Sequence, residues 1–371
     1  MRYKELICTF LDEEAYSFDA IIVHGELFRE QKFHNIETFC IQHDLSTIDA
    51  VTGKTISFVP RILFSTAGVA GAGLDNSDVR SVHRDGYPPT LLDYIQEGGR
   101  PARYPGALPS DNRYHVNISW QSFCSLLFRI YIVPVIEAER KEADRIENER
   151  QAHELQAQHG STPTSTANLS QQSLQAPSIP SAGAMAASTL LLCDQLAARQ
   201  YSNLLSVLKV IHLYPGCLHN KLEQACVNPF VATCHQPLPC GDACFYCSNA
   251  PARKTIYRPV VRSGLSSLLI DLFIKNPGPV DSWLVHSIYT TLSTYVQPET
   301  GAGFNQLVFS SDRKTIKVQE IQLVLLQLFA AHILEPRLIG KKLCCALTTD
   351  ASGNPNVNHD DFWAGMTLLQ A

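Results

Sequence analysis

The stretch RILFSTAGVAGAGLDNSDVRSVHRDGYPPTLLDYIQEGGRPARYPG, Arg61 to Gly106, decides how this chain is read. RILFST is a short apolar run that gives way to a loop holding Gly68, Gly71 and Gly73, then Asp75. A run of that length bounded by glycines reads as a strand. Loops at the carboxyl ends of parallel strands form the ligand crevice of open α/β sheets. Glycines there let the backbone approach a phosphate or another lobe closely. VRSVH predicts a further strand and LLDYIQEGG a helix that carries Arg100 and Arg103, three residues apart and so on one face. The guanidinium is planar, always charged and bidentate, so paired arginines suit the oxygens of a transferring phosphoryl group.

Outward from this stretch, DAIIV supplies another short apolar run, and residues 1–110 as a whole read as a parallel α/β sheet. WQSFCSLLFRIYIVPV, 120–135, reads as a buried helix or a helix leading into a strand. From Ile136 to about Gln158 the sequence is charged and helical without an apolar stripe, which predicts a solvated helix. Residues 160–187 are Ser, Thr, Pro, Gln and Ala, too polar to offset chain entropy by burial, and are expected to be disordered. Helical spacing returns in LLLCDQL and YSNLLSVLKVIHLY, and two apolar runs, SGLSSLLIDLFI and VQEIQLVLLQLFAAHIL, mark residues 256–371.

The totals narrow the function classes. The hydrophobic share is 45%, the charged share 18% and the formal charge −5, which excludes a uniformly basic DNA-coating protein but not a local basic groove. No uninterrupted run of about 18 apolar residues occurs, so no membrane span is expected. The amino terminus has no signal-peptide pattern, so an intracellular setting and reduced thiols are expected. Six of the twelve cysteines, Cys217, Cys226, Cys234, Cys240, Cys244 and Cys247, fall in one stretch, which reads as metal binding. Cys217 with Cys240, Cys244 and Cys247 can close a tetrahedral Zn²⁺ site; Cys226, Cys234 and His235 are alternative ligands, and Cys226 also reads as a small buried core residue. Lys254, Arg258 and Arg262 form a modest basic cluster that suits phosphates or a solvated surface equally.

Taken together, these motifs resemble the RecQ branch of superfamily 2 DNA helicases. The family pattern of a strand ending in Ala-Thr, a GMGID-like loop, a strand ending in His and then QExGRAGR is matched by Ser65-Thr66, Gly71-Ala72-Gly73-Leu74-Asp75, His83 and Gln96-Glu97-Gly98-Gly99-Arg100-Pro101-Ala102-Arg103. Pro101 and Ala102 stand where the family has Ala and Gly. Upstream, His24, Gly25, Lys32 and Phe39 correspond to a family segment with Tyr-His-Ala-Gly, a basic residue and a Phe. The resemblance implies that Arg103 is the arginine finger, supported by Arg100 and Gln96, and that Gly71, Gly73 and Asp75 couple DNA contact to the ATP cleft. It also implies a structural zinc module, with the first cysteine gap one residue longer than in the family.

On that resemblance the fold class is α/β plus α. Residues 1–135 form a second RecA-like lobe, 136–187 a charged helix and disordered insertion, 188–250 a helical zinc module and 256–371 a winged-helix-like domain. The phosphate-gripping Lys and the acidic Mg²⁺ motif belong to a first lobe preceding Met1. TGKT at Thr52–Thr55 is no substitute, since Ile48 stands where the loop needs a glycine; nor is LDEEA at Leu11–Ala15, which ends a helical pattern. ATP and Mg²⁺ are therefore expected only where that lobe, or a partner chain, supplies them. Expected partners are DNA at a strand junction and ATP, without a membrane, and the Ser/Thr/Pro tract hints at a nuclear setting. The competing expectations are a non-catalytic DNA- or protein-binding module and, for the two arginines, a structural pair in an unrelated α/β domain.

Overall fold

The computed structural model describes residues 19–40, 61–66, 79–101, 103, 113–159, 182–213, 217–226, 244, 247, 257–259, 265–275, 278–281, 283–294, 317–339, 342–349 and 367–369. The chain is mixed helix and sheet, and divides into two units: residues 1–84 with 92–115, and residues 85–91 with 116–371.

In the first unit β1 (Asp19–Val23) pairs in parallel with β2 (Arg61–Ser65), Ile21 opposite Leu63. Parallel pairing requires a crossover, and α1 (Arg29–Cys40) lies on that connection. Two side chains tie α1 to the strand end: Asn35 donates to the Ile22 carbonyl at 2.9 Å and Lys32 Nζ to the Gly25 carbonyl at 2.7 Å. β3 (Ser81–Asp85) pairs with β4 (Arg113–Asn117) in a separate two-stranded sheet, and the unit boundary runs through both strands. Among the described residues, then, the expected single parallel sheet is two small ones. β3 and β4 alternate exposed and half-buried residues, the pattern of a sheet with one wet face rather than of a strand covered on both sides.

Between those strands lies α2 (Leu91–Gly98). It is shorter than expected: Arg100 and Arg103 lie beyond its end. Proline disfavours helical backbone in the residue before it, and glycines are favoured just past a helix end; Gly98-Gly99-Arg100-Pro101 combines both.

The second unit is built on helices. α3 (Trp120–Tyr131) opens with a reciprocal cap, Ser119 Oγ accepting from the Ser122 amide at 3.1 Å and Ser122 Oγ from the Ser119 amide at 3.0 Å. Its buried residues Trp120, Phe123, Leu127 and Ile130 recur at helical spacing. After Ile132 the chain continues as a helix, not a strand, in α4 (Val133–His159). Trp120–Leu155 is long and apolar enough to cross a membrane by length and composition alone, but the apolar face of α3 is spent on the protein core. α4 carries exposed ion pairs at helical spacing, Arg150 with Glu147 at 2.8 Å and with Glu154 at 2.9 Å. α5 (Ala182–His212) starts inside the segment expected to be disordered; its opening AGAMAA is rich in the best helix former.

α6 (Leu218–Cys226) leads to the cysteine cluster, and β5 (Tyr257–Pro259) pairs antiparallel with β9 (Thr367–Leu369). Between those two strands come α7 (Leu265–Lys275), β6 (Gly278–Pro279), α8 (Leu284–Ser293), α9 (Val318–Ala330), β7 (Leu334–Ile339) and β8 (Lys342–Leu347). The last two form an antiparallel hairpin, and β8 is the middle strand, flanked by β6 and β7. α9 is buried from Val324 to Ala330, so VQEIQLVLLQLFA is core. Leu204 and Leu208 of α5, Leu269 of α7, Ile288 of α8, Phe329 of α9 and Cys345 of β8 share that core with α3. At one point the joint is polar: the Asp281 carbonyl accepts from the Trp120 indole at 2.9 Å, and the Asp281 carboxylate from the Trp283 amide at 2.9 Å.

Candidate functional site

Two clusters carry chemistry, one in each unit. In the second unit Cys217, just before α6, is brought to Cys244 and Cys247, all three buried. Their sulfur atoms lie within 4.8 Å of one another, with Cys217 and Cys244 at 4.0 Å. Sulfurs around a tetrahedral zinc at about 2.3 Å stand about 3.8 Å apart, so the spacing suits one ion. None of the three is in a disulfide. The Cys247 amide donates to Cys244 Sγ at 3.4 Å. Burial pulls the Lys221 ammonium down, while the Cys244 and Cys217 sulfurs push it up. The triad therefore fits a thiophilic cation. The expected fourth ligand, Cys240, lies outside the described residues, as do the alternatives Cys234 and His235; Cys226 ends α6.

Beside this cluster the buried His212 ring, at the end of α5, lies 2.8 Å (Nε2) from the Tyr87 hydroxyl. Burial, and secondarily the Lys221 charge, push His212 down to about 3.

In the first unit the sequence-predicted arginines meet on the loop leaving α2. Arg100 is half-buried and Arg103 exposed, with Pro101 buried between them. The Arg103 Nε–H donates to the Gly99 carbonyl at 2.7 Å. Burial and the neighbouring Arg103 charge both disfavour the Arg100 cation, and Glu97 favours it, so the two guanidinium groups feel each other's field. Gln96 is exposed on the last turn of α2. Gly71, Gly73 and Asp75 lie outside the described residues.

Glu97 was quoted only as part of the Gln96–Arg103 run, and its three neighbours here, Arg84, Tyr94 and Tyr114, carried no signal in the sequence. Glu97 forms an ion pair with Arg84 of β3, and the Tyr114 hydroxyl of β4 donates to the other Glu97 oxygen at 2.8 Å. Burial, then this bond to Glu97, raises the Tyr114 phenol above its usual range. Tyr94 packs edge-on against Tyr114 with ring centroids 5.3 Å apart. Partners 13 and 17 residues away leave no local pattern; the strand RYHVN was not read from the sequence, and the alternation of its residues is the signal that could have found it.

Of the upstream correspondences, Lys32 and Gly25 meet as described, with His24 next to them at the end of β1. Lys254 and Arg262 lie outside the described residues. No protein-family model and no curated protein matches this chain.

Proposed function

We propose that this chain is the carboxy-terminal half of a RecQ-like, ATP-dependent 3′–5′ DNA helicase, contributing an arginine finger, a structural zinc site and DNA contacts. The observation that carries the reading is the loop after α2, where Arg100 and Arg103 stand together beyond a helix end clamped to β3 and β4 by Glu97. The parallel β1–α1–β2 crossover supports a RecA-like lobe for this unit, because such lobes are built from these crossovers. Three buried, closely spaced thiols support a structural Zn²⁺, since a site filled with cysteines leaves no open position for a substrate.

The order helix, short strand, helix, helix, hairpin across α7–β8, with the first strand beside the last, supports a winged helix. Because α9 is buried, DNA contact in this region falls to the β7–β8 hairpin, which exposes Arg337, Ile339 and Lys342. In this reading ATP closes a first lobe onto the arginines and hydrolysis reopens it. Arg103 stabilises charge on the transferring phosphoryl group, a contribution worth about 10³–10⁵ in turnover in related mechanisms. ATP and Mg²⁺ bind only with that first lobe. The competing reading, a non-catalytic DNA- or protein-binding module, is favoured by the lack of a phosphate-gripping lysine motif in these 371 residues.

The deciding experiment reads the coding sequence upstream of Met1 and expresses this chain joined to what it encodes. DNA-stimulated ATPase is expected from the extended protein and not from the chain alone. Arg103→Ala should abolish turnover while leaving DNA affinity within about twofold. Turnover by the isolated chain, or an upstream sequence lacking both a GKT/GKS and an acidic motif, overturns the helicase reading.

A further inference from the structure

We propose that Glu97 is a positioning residue whose side chain sets the Arg103 guanidinium from inside the unit. For its consequence in catalysis the inference rests on the helicase reading; its geometry does not.

The connection runs through named atoms. Glu97 bridges two strands: one carboxylate oxygen pairs with Arg84 of β3, the other accepts from the Tyr114 hydroxyl of β4 at 2.8 Å. The side chains of Arg84 and Glu97 are only 13% and 17% exposed, so the charges hold each other in a partly desolvated place where removing one leaves the other uncompensated. This fixes the last turn of α2 against the β3–β4 ladder. Gly98 allows the close approach: a Cβ there would stand 3.1 Å from the Tyr114 ring.

From the fixed turn, backbone bonds carry the geometry outward. The Gly99 amide donates to the Ile95 carbonyl at 2.9 Å and the Arg100 amide to the Glu97 carbonyl at 3.2 Å. The Gly99 carbonyl then accepts from Arg103 Nε at 2.7 Å. A carboxylate in the middle of a sheet contact thus acts, through two backbone hydrogen bonds and the Gly99–Arg103 bond, on the direction of a guanidinium at the surface. Misplacing a catalytic group by about 1 Å costs on the order of 10²-fold, so a residue that never reaches the ligand controls the reaction.

The test reads the Arg103 Nε–H resonance of the full chain by nitrogen-15 NMR, assigned by its loss in Arg103→Lys. In the parent protein this proton should exchange slowly with water. In Glu97→Gln, which keeps an acceptor for Tyr114 but loses the charge facing Arg84, exchange should quicken at least tenfold while other assigned amides of β3 and β4 keep theirs. Tyr114→Phe, which removes one oxygen, should show the same change more weakly, and it carries the test should Glu97→Gln not fold. Glu97→Asp should restore part of the protection.

In the extended two-lobe protein, Glu97→Gln should lower kcat about 10²-fold with the KM for ATP within twofold. Arg103 exchange unchanged in both Glu97→Gln and Tyr114→Phe overturns the proposal, even if the extended protein is an active ATPase. Quickened exchange with no ATPase in the extended parent supports the clamp and sinks the helicase reading instead.

Discussion

Tyr87 and His212, 125 residues apart in sequence, meet at 2.8 Å between the tyrosine hydroxyl and His212 Nε2. The Tyr87 ring also stands edge-on to Phe123, with centroids 5.9 Å apart, so the contact joins the end of α5 to the aromatic core around α3. Burial pushes the Tyr87 phenol above its usual range, and it pushes His212 down to about 3. The imidazole is therefore neutral in the folded protein throughout the physiological range.

That depression gives a signed prediction. Above the unfolded-state value of about 6.5 both states are neutral and His212 contributes nothing to pH dependence. Below it, the unfolded chain takes a proton that the folded chain refuses, so stability falls as pH falls from about 6.5 towards 3. The limiting slope is about 1.4 kcal/mol per pH unit. Urea unfolding of the parent and of His212→Gln at pH 7.5, 5.5 and 4.5 should show the parent losing more stability on acidification. Parallel curves would show that His212 titrates normally in the fold.

How much of this was legible in the sequence depended on range. DAIIV and RILFS formed strands because short apolar runs bounded by charge and glycine have few alternatives, and their parallel pairing was foreseen. Trp120, Phe123, Leu127 and Ile130 announced α3 by spacing, and the charged run announced α4 as a solvated helix. The cysteine triad was likewise readable, since Cys244 and Cys247 are close in sequence and Cys217 opens a helix. Contacts between distant segments were not readable. Nothing in RYHVN says that Tyr114 answers Glu97, and no periodicity joins Tyr87 to His212. One failure was local: Gly98-Gly99 followed by Pro101 spells a helix end, but the family-like spacing of Arg100 and Arg103 led to a longer helix.

The end of α9 offers a substitution that should stabilise. His332 adopts φ 59°, and the Ile333 amide donates to the Leu328 carbonyl and the His332 amide to the Phe329 carbonyl, each at 2.9 Å. This is the left-handed helix stop in which glycine is preferred, because a Cβ costs on the order of 1 kcal/mol there. His332→Gly gives up only a 3.8 Å approach to Glu335 between partly exposed side chains, worth little. The variant should be more stable by about 0.5–1 kcal/mol in chemical denaturation. A loss of stability would mean that the His332 side chain contributes more than the strain costs.

Phe123 of α3 and Phe329 of α9 meet edge to face with centroids 4.9 Å apart, both fully buried. Replacing either with alanine removes a large side chain from a core that cannot fully close, at about 3–5 kcal/mol. Because the rings touch, the double variant should cost less than the two single losses added, with a coupling of about 0.5–1.5 kcal/mol. Equilibrium denaturation of the four proteins measures this. Strict additivity would mean that the two helices do not share one packed core.

The thiol cluster gives the sharpest metal test. Three buried cysteine sulfurs lie within 4.8 Å of one another, and metal ligation would take them as thiolates that only a cation can hold so close, so folding of this region and metal binding should be one process. Elemental analysis of protein purified without chelator should find about one zinc per chain, and Cys244→Ser should lower that well below one. Stripping the metal should lower the thermal midpoint and release protection of the α6 amides, while β1 and β2, in the other unit, keep theirs. Zinc added back should restore both, whereas Mg²⁺ should not, because hard cations choose oxygen over sulfur. Parent protein carrying no zinc but folding normally would make the triad an ordinary group of core cysteines, and would remove the zinc module from the helicase reading.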